Sequence, residues 1–406
     1  MSAPSPTLLI AHCFPPCVQV GVHRPWRFYK YLPSYGYRPL VCTSTPQDPR
    51  NPLPDVTCLE TRIRPKFSVE GFFDRILTYS VFHLELGELR WTWDCLSPLI
   101  QLHRQTGFRT VLSTSPPLSG HLAALRLKRK LGVKWIADFR DPLYGNPFRD
   151  DQMLHRWMDG VMERTIFKHA DILIANTDVV LESWKRRYPG YAGKMQLLWN
   201  GFDPEEQVRA RPIPPRPYRL LGHVGSIYNH RHPGIIIESL ARLAASRQLA
   251  PGSVRFVQQG YMDGAFEQYA NRRNELKQLG MLVENDTVTP AEARKILSEV
   301  DLLVLIDTPG ERPSQVPAKL FEYVQIGRPI LACTAAGSPV DRLLAECGIP
   351  NTRLYYGSPA EEIDAKLLEF LKLPSDPVPM AASFAGKFDG RLQTGQLARM
   401  LDTLTA

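Results

Sequence analysis

The segment from Pro313 to Tyr323 (PSQVPAKLFEY) carries the residue types in this chain best suited to chemistry. Pro317 suits a helix start, where its missing N–H removes no bond. Lys319 and Glu322 then stand at i and i+3 on one helical face. The N–H groups of the Ser314-Gln315 loop and the helix start could hold a diphosphate. Lys319 would offset its charge, and Glu322 could accept from two ribose hydroxyls. The plain alternative is an exposed Lys319–Glu322 ion pair, worth a few tenths of a kcal/mol.

Three further clusters fall at the ends of apolar runs. Phe14-Pro15-Pro16 leads through Gly21 to Arg24 at the start of a helix, where backbone N–H groups can meet an anion; Arg24 and Arg27 add formal charge. Ser113 to Pro117 (STSPP) precedes His121, whose imidazole could donate to an oxygen-rich ligand. Asp138-Phe139-Arg140-Asp141-Pro142 sets two carboxylates around an arginine, to form an ion-pair network or to read sugar hydroxyls in a cleft. Surface arginines and a packed histidine are the ordinary readings of the first two.

Other chemistries are disfavoured by what is missing. The chain has no Asp-x-Asp, no G-x-x-x-x-G-K-[ST], no G-x-G-x-x-G, no H-E-x-x-H and no G-x-S-x-G. Kinase, dehydrogenase, metalloprotease and serine-hydrolase readings weaken accordingly, and no metal or other cofactor is expected. The seven cysteines are scattered without a C-x-x-C pair, which fits reduced thiols better than disulfides or zinc.

The elements that must position these clusters are legible as apolar runs. Leu8–Ala11, Pro39–Thr43, Thr110–Ser113, Trp135–Asp138 and Ile172–Ala175 read as strands in the first half, separated by helical patterns. Leu220–Val224, Val254–Gln258, Leu302–Ile306 and Ile330–Cys333 repeat that grammar in the second. Strands that are apolar throughout and separated by helices indicate parallel, doubly wound sheets. At 406 residues, two domains are expected. We read residues 1–203 as a first Rossmann-like domain, 204–217 as a Pro-rich linker, 218–385 as a second such domain, and 386–406 as a helix returning towards the first. A cleft between the strand C-terminal edges would hold the ligands.

With 44% apolar and 22% charged residues the composition is globular, and no run approaches the ~18 apolar residues that span a bilayer. The N-terminus shows no secretory pattern, so a cytoplasmic protein is expected. The net charge of +8 sits entirely in the first half: residues 1–200 carry +9. Such an excess suits anionic membrane, nucleic acid or phosphorylated substrate. The aromatics do not interleave with the basic residues as in a single-strand platform, so no nucleic-acid partner is expected. The basic clusters are Arg126 to Lys130 and Lys185 to Arg187, with Trp184 and Tyr188 beside the second. Met153, Trp157 and Val161 form a helical stripe between them; with the basic clusters it could serve reversible, salt-sensitive attachment to an anionic membrane, but by its spacing it should rather pack in the core.

Together, P-x-K-x-x-E-Y-x-x-x-G-x-P-I from Pro317 to Ile330, Asn200-Gly201-Phe202-Asp203, the S-x-P-P and His121 segment, and D-F-R-D-P resemble glycosyltransferase family 4, in its bacterial surface-polysaccharide branch. The resemblance implies a GT-B fold and metal-independent, retaining transfer from a nucleotide sugar to a glycan or polyprenyl-linked acceptor. It implies that Gly21, Gly225, Arg231, Gly260, Ser314, Gln315, Lys319 and Glu322 bind the donor. His121, Asp138 and Arg140 would be catalytic, with Arg24 and Asp141 on the acceptor side. It also implies a place at the inner face of the plasma membrane. Three departures stand out. Ser314 occupies the position of the family's first Glu, with Glu311 the nearest carboxylate. Val20-Gly21 replaces a double glycine, and Asn229-His230-Arg231-His232 leaves Arg231 as the phosphate cation. The competing readings are a nucleotide-sugar epimerase of the same shape and a non-catalytic basic binding protein.

Overall fold

The computed structural model describes residues 3–59, 88–146, 153–206, 208–227, 231–309 and 314–405. The chain forms two compact units, one of Met1–Gly201 with Gly390–Ala406, the other of Phe202–Asp389. The first is built on a seven-stranded sheet of β1 (Ser5–Ile10), β2 (Tyr37–Thr43), β3 (Val56–Cys58), β4 (Thr110–Ser115), β5 (Lys134–Phe139), β6 (Ile172–Ala175) and β7 (Met195–Leu197). Their order is β3-β2-β1-β4-β5-β6-β7, and every pairing is parallel. All six residues of β4 are buried, as expected of a central strand covered on both faces. The apolar runs anticipated five of these strands. The edge strands β3 and β7, three residues each and only partly buried, give no such run.

Helices of this unit are α1 (His23–Tyr31), α2 (Glu88–Asp94), α3 (Leu96–Thr106), α4 (Ser119–Leu131), α5 (Met153–His169) and α6 (Asp178–Arg187). Helices α2 to α6 share one apolar layer, in which Trp91, Leu99, Leu127, Phe167 and Trp184 pack with Val111 and Trp135 of the sheet. Trp184 and Tyr188 are therefore core residues, not an exposed aromatic fringe to the Lys185–Arg187 cluster.

Helix α5 overturns the expected burial of its stripe. Met153 is 87% exposed, Trp157 62% and Val161 39%, whereas His155, Asp159 and Glu163 face inward. Glu163 is fully buried, and one carboxylate oxygen accepts from the Leu143 and Tyr144 N–H groups at 3.0 and 3.1 Å. Burial outweighs those bonds and pushes the carboxyl up to about 7. A raised carboxyl contributes stability that is complete below its ordinary value near 4.5 and is lost as pH rises through about 7. The unfolding temperature should therefore fall between pH 5 and pH 8, by the equivalent of roughly 3 kcal/mol at most. Glu163→Gln, whose amide oxygen still accepts from both N–H groups, should flatten that dependence. Parallel slopes for the two proteins in thermal melts would remove Glu163 as its source.

The second unit carries six parallel strands: β8 (Arg219–Val224), β9 (Val254–Gln259), β10 (Leu282–Asn285), β11 (Leu302–Ile306), β12 (Ile330–Thr334) and β13 (Asn351–Tyr355). Their order, β10-β9-β8-β11-β12-β13, reverses direction between β8 and β11 as the first sheet does between β1 and β4. Crevices outside such switch points are where doubly wound sheets bind ligands. The helices here are α7 (Gly234–Ala245), α8 (Ala270–Gln278), α9 (Pro290–Glu299), α10 (Lys319–Ile326), α11 (Pro339–Glu346), α12 (Ala360–Leu371) and α13 (Ala382–Phe388). A Thr289–Glu292 capping box starts α9. Gly327, at φ 80° where glycine is favoured, ends α10. The Pro-rich segment belongs to this unit: Arg211 N–H donates to Ser298 O at 2.8 Å, and Arg216 pairs with Asp301 at 2.8 Å. Last, α14 (Gly390–Thr405) lies in the first unit, placing Leu397 and Leu401 against Leu9, Val41 and Leu112 on the sheet face opposite α4.

Candidate functional site

The residues of the second unit converge on its switch point. Strand β8 runs into Gly225 at φ 138° and β9 into Gly260 at φ 131°, conformations that L side chains rarely adopt. The two loops touch: a Cβ on Gly260 would lie 2.8 Å from the Gly225 carbonyl carbon. A Cβ on Gly225 would collide with Nζ of Lys319, the first residue of α10. These glycines thus leave the room in which the lysine ammonium lies against the Gly225 backbone.

Charge is concentrated here. Burial lowers the Lys319 pKa, Glu322 opposes that shift, and the nearby charge of Arg231 adds to it. Burial raises Glu322, with Lys319 acting against it. Arg231 donates from Nε to Thr308 Oγ1 at 3.0 Å. Two cations held near one another at a helix N-terminus favour an anion between them. Ser314 and Gln315 lie in the non-helical stretch leading into α10, Ser314 partly exposed and Gln315 buried. Glu311, Asn229 and His230 lie outside the described residues.

Two residues of this site escaped the sequence reading. Asp307 follows β11, and its carboxylate accepts from Thr308 N–H at 2.7 Å and Thr334 Oγ1 at 2.8 Å; burial raises it to about 6. His223 lies in β8 with Nδ1 2.9 Å from the Val304 carbonyl, which places its proton on Nδ1. Burial and then the Lys319 charge lower it to about 3, so the ring is neutral. The available signal for Asp307 was its place as the first charged residue after LLVLI, the position Asp138 holds after WIA.

The first unit arranges its candidates differently. Arg24 and Asp138 are 2% and 0% exposed and face each other, with Nε–Oδ2 at 2.9 Å and Nη2–Oδ1 at 2.7 Å. Arg24 also donates to the Trp199 and Leu198 carbonyls, and Thr114 Oγ1 donates to Asp138. These two charges therefore meet inside the unit and tie α1 to β5 and to the strand-exit segment 198–199. Arg27 Nη1 donates to Gly201 O at 2.6 Å. Arg140 donates to the Ser115 and Gly21 carbonyls, and a Cβ on Gly21 would strike its guanidinium. Burial lowers Arg140, and Asp141, partly exposed beside it, opposes that shift.

His121 is fully buried, its ring 4.4 Å from that of Phe139. Ser113 Oγ accepts from Trp135 Nε1 at 2.8 Å and lies 2.8 Å from His121 Nδ1. Nε2 of this ring has no partner among the described residues. Burial lowers this histidine to about 3.

Known proteins share this architecture. Sucrose-phosphate synthase from Thermosynechococcus elongatus is similar over 98% of this chain and 99% of its own, at 14% identity and a TM-score of 0.67. Anabaena HepE in complex with UDP-glucose is similar over 98% of this chain and 99% of its own, at 14% identity and a TM-score of 0.62. A UDP-N-acetylglucosamine 2-epimerase is similar over 99% of this chain and 96% of its own, at 11% identity and a TM-score of 0.53. At such identities the likeness shows the fold alone, and transferases share it with an epimerase. No curated protein matches the chain in sequence. Residues 25–206 match the model of Glycosyltransferase Family 4. The two parallel-sheet units have the GT-B fold of these proteins, and the family match lies in the first of them.

Proposed function

We propose that the protein moves a sugar from a nucleotide-sugar donor, held by the second unit, to a glycan or lipid-linked acceptor in cell-surface polysaccharide synthesis. The observation that carries the donor part is the placement of Lys319 against the Gly225 backbone at the switch point, with Glu322 one turn on and Arg231 near enough to perturb it. In this reading the α10 N-terminus, Lys319 and Arg231 hold the diphosphate, and Glu322 accepts from the ribose. The glycosyl–phosphate bond breaks with its electron pair leaving on the nucleoside diphosphate. The acceptor hydroxyl adds at the anomeric carbon on the same face and gives up its proton to the departing phosphate, with retention of configuration as the family resemblance implies. Rate comes from positioning and from stabilising the departing charge. HepE, solved with UDP-glucose, supports a donor of this class.

A thermal-shift screen of nucleotide sugars should identify the donor, because a ligand that binds the folded state raises its stability by mass action. Release of free nucleoside diphosphate with acceptor would then establish transfer. If no nucleotide sugar shifts the melt, the donor assignment is wrong. Turnover should persist in EDTA, since Lys319, Arg231 and the helix N-terminus supply the positive charge. Loss of turnover with chelator, restored by magnesium or manganese, would show that a cation does that work. We also place the enzyme in the cytoplasm at the inner face of the plasma membrane, where a lipid-linked acceptor would lie.

A further inference from the structure

Arg231 lies between β8 and α7, in no regular element. An arginine on such a segment samples many rotamers, and ordering them when a ligand arrives weakens binding. Here the side chain is already tied down across the switch point. Its Nε donates at 3.0 Å to Oγ1 of Thr308, a residue just beyond β11 that is 6% exposed. The charge of Arg231 bears on Lys319, Asp307 and His223, so the guanidinium lies among the groups of the candidate donor site.

Thr308 is held in its turn. Its branched side chain is stiff at χ1. Its N–H donates to one carboxylate oxygen of Asp307 at 2.7 Å, and the Tyr356 hydroxyl donates to the Asp307 carbonyl at 2.8 Å. The other carboxylate oxygen accepts from Thr334 Oγ1 at 2.8 Å, which commits the Thr334 proton. Ser338 Oγ, 2.8 Å from Thr334 Oγ1, must then be the donor of that pair, while it accepts from Asp341 N–H at 3.0 Å. The donors therefore run one way, from the first turn of α11 through Ser338 and Thr334 to a fully buried carboxylate. Hydrogen bonds in such a chain strengthen one another.

We propose that Thr308 is a positioning residue for sugar transfer: its hydroxyl, fixed through Asp307, presets Arg231 to receive the nucleoside diphosphate. Holding Nε sets the plane of the guanidinium, and the four Nη–H groups beyond it then move as one rigid fork, the geometry that pairs with phosphate oxygens. The inference rests on the diphosphate role proposed for Arg231.

The test titrates the full chain calorimetrically with UDP, GDP, ADP and dTDP, without divalent cations, and continues with whichever binds most tightly. Thr308→Val keeps the shape and the N–H bond to Asp307 but removes the acceptor. It should raise the dissociation constant roughly tenfold at an unchanged melting temperature. Thr308→Ala, which cannot strain the site, should behave alike, and Thr308→Ser should bind within about threefold of wild type. Arg231→Gln should weaken binding roughly 30-fold, and adding Thr308→Val to it should change nothing further. That non-additivity is the signature of positioning, because a structural effect of the hydroxyl would persist without the arginine. Weak binding in Arg231→Gln with wild-type affinity in Thr308→Val and Thr308→Ala would overturn the inference alone. So would a Thr308→Val loss that is undiminished beside Arg231→Gln. Wild-type affinity in Arg231→Gln, or no binding of any of the four nucleotides, would instead refute the donor reading and take the inference with it.

Discussion

Replacing Glu322 by alanine is expected to weaken nucleotide-sugar binding by roughly 10- to 150-fold and leave the fold intact. The magnitude follows from losing a charged hydrogen bond, ~1.5–3 kcal/mol. The fold should survive because Glu322 is partly exposed near the head of α10, while Leu320, Phe321 and Tyr323 around it carry the packing. Glu322→Gln keeps an acceptor without the charge and should fall between the two. Isothermal titration with the donor found in the thermal-shift screen reads this directly. Wild-type affinity in Glu322→Ala would take this carboxylate out of the donor site.

Arg24→Ala should cost about 3–5 kcal/mol of stability, because it leaves Asp138 charged, buried and without its guanidinium partner. The Leu198 and Trp199 carbonyls lose their donor in the same step. Replacing both partners, Arg24→Met with Asp138→Leu, should recover part of the loss, since an apolar pair removes the uncompensated charge. Chemical denaturation of the three proteins makes the comparison. An Arg24→Ala protein as stable as wild type but unable to turn over would return Arg24 to the acceptor-side role that its place on the loop suggested.

Much of the frame was legible because parallel sheets covered on both faces leave long apolar runs, such as LLVLI in β11 and WIA in β5. Strands β10 and β13 (LVEN and NTRLY) were not, since edge strands are partly exposed and keep polar residues. The grouping of Gly225, Gly260 and Lys319 could be guessed from their places after strands and at a helix start. The Arg24–Asp138 contact, 114 residues apart in sequence, could not, because nothing in a single sequence pairs distant charges. Helix α5 shows a subtler failure. Its spacing correctly gave a stripe, but Met153, Trp157 and Val161 alternate with an equally regular His155, Asp159 and Glu163. Periodicity tells how many faces a helix has, not which one the sheet will accept.

The return of α14 has a consequence for the order in which the protein comes into being. Leu397 and Leu401 complete an apolar layer whose other members, Leu9, Phe28, Val41 and Leu112, are made first. The unit from Phe202 to Asp389 is thus an insertion in the one that begins the chain. During synthesis the second unit has all its strands before the first has its last helix. The earlier half must wait on the ribosome with one sheet face only partly covered, while the later half is free to fold as soon as it emerges. The growing chain therefore closes its domains in the reverse of the order in which it starts them.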